Sequence, residues 1–171
     1  MKTTKNITIA ALLIALGIVI PMFMPKIIFP PNSYTLASHV PVMIAMFISP
    51  SVAIAVAIGT AWGFLISATD IIAMRALSHI VFAVLGSLYI QKNRTSLKNP
   101  KTNLIFNCVI GLIHVAMESL VVSYYYFNGE LTGGNFFIIV VLGIGVGGFV
   151  HSLIDYFMAS KVALRLNLSK P

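Results

Sequence analysis

Charge is what this chain has least of. Of its 171 residues only 9% are charged, and only four are acidic. A soluble domain carries about 25%, so a water-facing globular surface is excluded. One cysteine, Cys108, rules out an internal disulfide. It lies in an apolar stretch and reads as a packing residue. No Walker A loop is present, so the chain carries no P-loop for ATP hydrolysis, and no HExxH metal motif occurs. Gly143 to Gly148 match GxGxxG, but inside an apolar run with no preceding strand, which argues against a dinucleotide site. Asn93, Arg94 and Thr95 match a glycosylation acceptor, in a loop that charge assigns to the cytoplasm.

What fills the chain instead is apolar surface. Hydrophobic residues make up 58%, and the mean hydropathy is +0.98. This is the composition of an integral membrane protein. A bilayer core takes roughly 20 helical residues to cross. The apolar segments run at residues 7–23, 35–49, 51–68, 70–90, 103–127 and 136–166. Lys2 and Lys5 before the first segment resemble a secretion signal, but Pro21, Met22 and Phe23 follow where small residues would mark cleavage. The first segment is therefore expected to stay as a helix. The second is short and interrupted by Pro41, so it could be re-entrant. The expected fold is an all-α membrane protein of six transmembrane helices, forming a single domain over 1–171.

Six segments put both termini on one side. Lys2, Lys5, Lys92, Arg94, Lys98, Lys101, Lys161, Arg165 and Lys170 then fall together, and the positive-inside rule makes that side cytoplasmic. Only Lys26 and Arg75 remain near the outer face. The net charge of +7 thus reflects topology rather than nucleic-acid binding. Small residues recur four apart: Ala11 and Ala15; Ala53, Ala57 and Ala61, with Gly59 and Gly63 beside them; Gly143 and Gly147. Such stripes let helices approach closely. Internal packing suits the third segment. For Ala11 and Ala15 a partner-docking surface is a second reading.

The stretch Asp70 to His79 (DIIAMRALSH) brings charge into this apolar setting. Arg75 and His79 share a helix face. An arginine at membrane depth faces a partner, a ligand or a water-filled cavity. The plainer alternative is an interfacial Asp70–Arg75 pair. Two more pairs have the same spacing, His114 with Glu118 and His151 with Asp155. At about 1.5 Å per residue, Arg75, His79 and Glu118 share an outer layer, while His151 and Asp155 lie nearer the cytoplasm. The first two pairs are site candidates and the third reads as a structural hydrogen bond. Spacings of four also suit metal ligands, but Arg75 in the same layer repels a cation and suits a carboxylate. No metal or cofactor is expected. Tyr34 and Trp62 are candidates for stacking on a flat ligand, and Asn135, in the last outer loop, for the wall or lid of its pocket; the run Tyr124 to Tyr126 suits an interfacial belt.

Six segments with both ends inside, AxxxA in the first helix and a long polar first outer loop resemble the substrate-binding S component of energy-coupling-factor (ECF) vitamin transporters. The resemblance spans the chain. The stretches PNSYTLASHVPVMIAMFISP (31–50) and RALSH (75–79) look most like the niacin type. The resemblance implies a non-enzymatic binding subunit in the bacterial plasma membrane that captures a vitamin at its outer face, under a gating first loop. It implies docking through Ala11 and Ala15 on a transmembrane coupling subunit, served by two cytoplasmic ATPases. Arg75, His79, Glu118 and Asn135 would lie near the ligand. Metal-specific relatives carry an N-terminal histidine motif, and no histidine precedes His39 here. The alternatives are an S component for another vitamin and, in a different class, a proton-coupled carrier using the His–acid pairs as a relay.

Overall fold

The apolar run after Lys5 forms one long helix, α1 (Lys2–Phe23), in the computed structural model, which describes residues 2–29, 32–93, 95–131 and 134–168. Pro30, Pro31, Arg94, Gly133 and Lys170, placed by sequence in loops or the tail, lie outside these residues. Beyond α1 come two short strands, β1 (Lys26–Phe29) and β2 (Asn32–Thr35), then α2 (Val40–Met46), α3 (Pro50–Ser67), α4 (Asp70–Lys92) and α5 (Pro100–Phe127). A π-helical stretch (Phe137–Gly147) runs directly into α6 (Gly148–Arg165).

Among the described residues five helices are long and apolar enough to cross a bilayer: α1, α3, α4, α5 and the combined Phe137–Arg165 rod. Proline and a polar cap start two of them. Ser49 Oγ accepts from Val52 N at 3.2 Å ahead of Pro50, and Asn99 Oδ1 accepts from Lys101 N at 2.9 Å ahead of Pro100. Their outer faces stay apolar and exposed, as at Leu12, Ile66, Leu104 and Leu120. This is the surface lipid would cover.

The second expected span is corrected. Residues 35–49 do not form a membrane-length helix: Thr35 ends a strand, 36–39 form a turn, and α2 has seven residues. The all-α architecture stands, with one short addition: β1 and β2 pair antiparallel, Ile27 opposite Tyr34. Irregular backbone at membrane depth is tolerated only where protein buries it. The short helix that follows the turn is buried: Val42, Met43, Ala45, Met46 and Phe47 are at most 1% exposed and belong to the core.

Small residues set the helix spacing. A Cβ on Gly17 would collide with Thr60 Oγ1, on Gly59 with Ile14, and on Gly63 with Ile18. These pairs keep one order along both helices, so α1 and α3 run parallel. Residues 24–49 therefore return the chain from one end of the bundle to the other. Ala53, Ala57 and Ala61 are buried, as internal packing requires. Ala11 and Ala15 are exposed on the opposite side of α1 from Leu13 and Gly17.

Candidate functional site: a histidine-lined cavity under a hairpin

A cavity of about 380 Å³ opens at one end of the bundle. All six helices except α2 contribute to its wall, and β2 lies across it with Ser33, Tyr34 and Thr35. The volume is in the range of small-molecule sites.

The hairpin is fastened to the π-helical stretch by its own side chains. Asn32 and Tyr34, two apart on a strand, project to one side. Asn32 Nδ2 donates to Ile139 O at 3.2 Å, and the Tyr34 hydroxyl donates to Gly143 O at 2.8 Å. Gly143 and Gly147, four apart, make the approach possible. A Cβ on Gly143 would meet the Asn32 amide, and one on Gly147 would lie 2.5 Å from the Tyr34 hydroxyl. The glycine stripe on this segment thus receives a hairpin rather than another helix.

The floor is polar and buried. Arg75 Nη2 donates to Glu118 Oε2 at 3.0 Å, and His79 Nε2 meets Glu118 Oε1 at 3.1 Å. His114 Nε2 lies 3.2 Å from His79 Nε2, and His114 Nδ1 lies 3.0 Å from Ser152 Oγ. The Arg75 and Glu118 side chains are 13% and 4% exposed. Another of the Arg75 donors, Nε, is buried and has no partner among the described residues. The interfacial Asp70–Arg75 alternative is set aside: Asp70 accepts from the Tyr125 hydroxyl instead.

His39 is the residue sequence reasoning missed. It occupies the turn before α2, and its ring centroid lies 4.8 Å from His79, 4.6 Å from His114 and 4.9 Å from His151. Asp155 holds that turn. It accepts from Ala37 N at 3.0 Å and His39 N at 2.9 Å, and meets His39 Nδ1 at 3.0 Å. Ala37 has φ of +66°, a left-handed conformation costly for a residue with a Cβ. The His151–Asp155 pair, at 3.4 Å, belongs to the same polar centre, and His151 lines the cavity. Its expected separation from the other two pairs is corrected. The physical reason is the π-helical stretch, whose i→i+5 bonds fit more residues into each turn and advance less per residue than an α-helix.

Of the site candidates, Arg75, His79, Glu118 and Tyr34 line the cavity. Two are corrected. Trp62 is 64% exposed on the outside of α3; Phe64, two residues on, faces the cavity instead. Period-3.6 geometry turns residues two apart to different faces, and an apolar helix gives no polarity signal for choosing between them. Asn135 is exposed, and its Oδ1 accepts from Phe137 N at 2.8 Å, capping the helix start.

A helical membrane protein with an internal polar cavity, closed over by a loop-borne hairpin and lined by an arginine–glutamate–histidine array, is built to hold a small polar molecule. The comparisons agree with that class. The chain is 44% identical over 163 residues to the niacin transporter NiaX of Lactococcus lactis subsp. cremoris (strain MG1363), covering 91% of this chain and 71% of that protein. It belongs to the niacin-type S components of ECF transporters, multi-pass proteins of the bacterial plasma membrane. No family model and no solved structure matches it.

Proposed function

We propose that this chain is a single-domain binding subunit, residues 1–171, that captures nicotinate in the cavity beneath the hairpin and catalyses no reaction. The observation that carries the reading is Arg75: a largely buried guanidinium on the cavity wall with Nη2 fixed by Glu118 and Nε without a partner among the described residues. A guanidinium has five N–H donors in a rigid fork, the geometry a carboxylate fits. Tyr34 and Phe64 offer faces for the pyridine ring, and His79 and Glu118 order its polar edge.

Parallel α1 and α3 support six passages of the chain with both termini cytoplasmic, the passage at 24–49 being made by the hairpin, the turn and α2. Lys92, Lys98 and Lys101 then gather with Lys161 and Arg165 on the inner side, as the positive-inside rule requires. Release inward is driven by a transmembrane coupling subunit with two ATPases, docked on the exposed Ala11–Ala15 face. In Ala15→Trp the protein is expected to bind vitamin normally but to lose co-purification with the coupling subunit. An intact complex would move the docking face elsewhere.

The function is tested by calorimetric titration of detergent-purified protein with a panel of vitamins. Nicotinate is expected to bind one-to-one, and nicotinamide, lacking the negative charge, more weakly. A one-to-one response to a different vitamin and none to nicotinate would overturn the substrate. Calorimetry is preferred to tryptophan quenching because Trp62 faces outward.

A further inference from the structure

We propose that His39, His79, His114 and Glu118 bind one divalent transition-metal ion, zinc above all, in the wall of the cavity. The first ground is distance. Zinc bound tetrahedrally at about 2.0–2.1 Å holds its ligand atoms about 3.3 Å apart. His79 Nε2, His114 Nε2 and Glu118 Oε1 form a triangle with edges of 3.1, 3.2 and 3.6 Å. The ligand atoms of all four residues lie within 4.8 Å of one another. His39 stands on a turn rather than a helix, so it can close the fourth position.

The second ground is the proton count. Ionised Glu118 only accepts, so His79 Nε2–H donates to it. With His114 Nδ1–H donating to Ser152 Oγ at 3.0 Å, the tautomer that a metal-bound His114 requires, Nε2 carries the lone pair. Three electron-pair donors, on His79, His114 and Glu118, therefore surround a single proton. A metal ion takes all three at once, and the His79 proton passes to Nδ1.

The third ground is the outer shell. Metal-bound histidines hand their other N–H to a carboxylate or similar acceptor, which fixes the ring. Asp155 does this for His39 at 3.0 Å and Ser152 for His114. Arg75 grips Glu118 by Oε2 and leaves Oε1 for the ion. The expectation that Arg75 repels a cation holds for a lone arginine. Here Glu118 cancels its charge, and Asp155 adds a negative one behind His39.

The test is titration with Co²⁺, then Zn²⁺, of chelator-stripped protein purified without a histidine tag and without vitamin, so its outcome is independent of nicotinate binding. One Co²⁺ per chain is expected, with the intense visible absorption of a four-coordinate ion, and Zn²⁺ should displace it. Ser152→Ala should weaken binding about 10–100-fold, as loss of an outer-shell partner does. His79→Gln and His114→Gln should weaken it further, with size-exclusion profiles confirming folded protein. Absence of stoichiometric Co²⁺ binding by the unsubstituted protein would overturn the proposal. So would binding abolished by His151→Gln but kept in His79→Gln, which would put the ion among His39, His151 and Asp155.

Discussion

In Arg75→Met, nicotinate affinity is expected to fall by about 30-fold or more. Truncating one partner of a buried, hydrogen-bonded charge pair costs about 2–5 kcal/mol of binding, and about 1.4 kcal/mol is tenfold. The preference for nicotinate over nicotinamide should vanish with it, because the arginine is what reads the charge. Stability complicates the single variant. Glu118 is 4% exposed, and without Arg75 its Oε2 is a buried oxygen with no cation. Breaking a buried ion pair from one side costs about 3–5 kcal/mol. Arg75→Met/Glu118→Gln leaves no unpaired charge, and should melt within a few degrees of the parent protein while still failing to bind nicotinate. Arg75→Lys should recover part of the affinity, since a point charge replaces the fork. The measurements are calorimetric affinity and thermal unfolding in detergent. Wild-type affinity in the stable double variant would remove Arg75 from the site.

The legible parts of this site were those that helical periodicity can carry. Arg75 and His79, and His114 and Glu118, are four apart on long apolar segments, and charge in such a segment is conspicuous. Depth counting at the α-helical rise brought the two pairs to one layer, where they meet through Glu118. The same counting failed for His151, which follows an 11-residue π-helical stretch, and nothing in an apolar, glycine-containing run announces that the hydrogen bonds shift from i→i+4 to i→i+5. His39 was hidden for another reason. It belongs to a turn, and its neighbours in space, Asp155 and His114, are 116 and 75 residues away in the chain. The hairpin was equally obscure. KIIF and NSYT are four-residue strands, and what stabilises them is Asn32 and Tyr34 bonding to carbonyls more than 100 residues on. Small-residue spacing was legible as close approach, but not as to what approaches: Gly17, Gly59 and Gly63 receive helix, and Gly143 and Gly147 receive the hairpin.

Asp155→Ala should be the most destabilising single change in the polar centre. Its side chain is wholly buried, and it accepts from two backbone N–H groups and one imidazole. All three donors lie in residues 37–39, the stretch that turns the chain from the hairpin into α2. Removing the carboxylate leaves three donors in a dry interior, each costing about 1–3 kcal/mol unpaired, and withdraws what holds Ala37 at its left-handed φ. An expected loss of about 3–5 kcal/mol follows, since the turn can relax and recover some of its bonds. Asp155→Asn should be milder but still defective, because an amide offers one acceptor and turns two N–H groups toward donors. Ala37→Gly in the Asp155→Ala background should recover about 1 kcal/mol by relieving the left-handed backbone. Thermal unfolding of the three variants in detergent, read beside protease cleavage after Lys26, distinguishes local release from global loss. If Asp155→Ala melted like the parent protein, the carboxylate would not be holding the turn, and the position of His39 would need another cause.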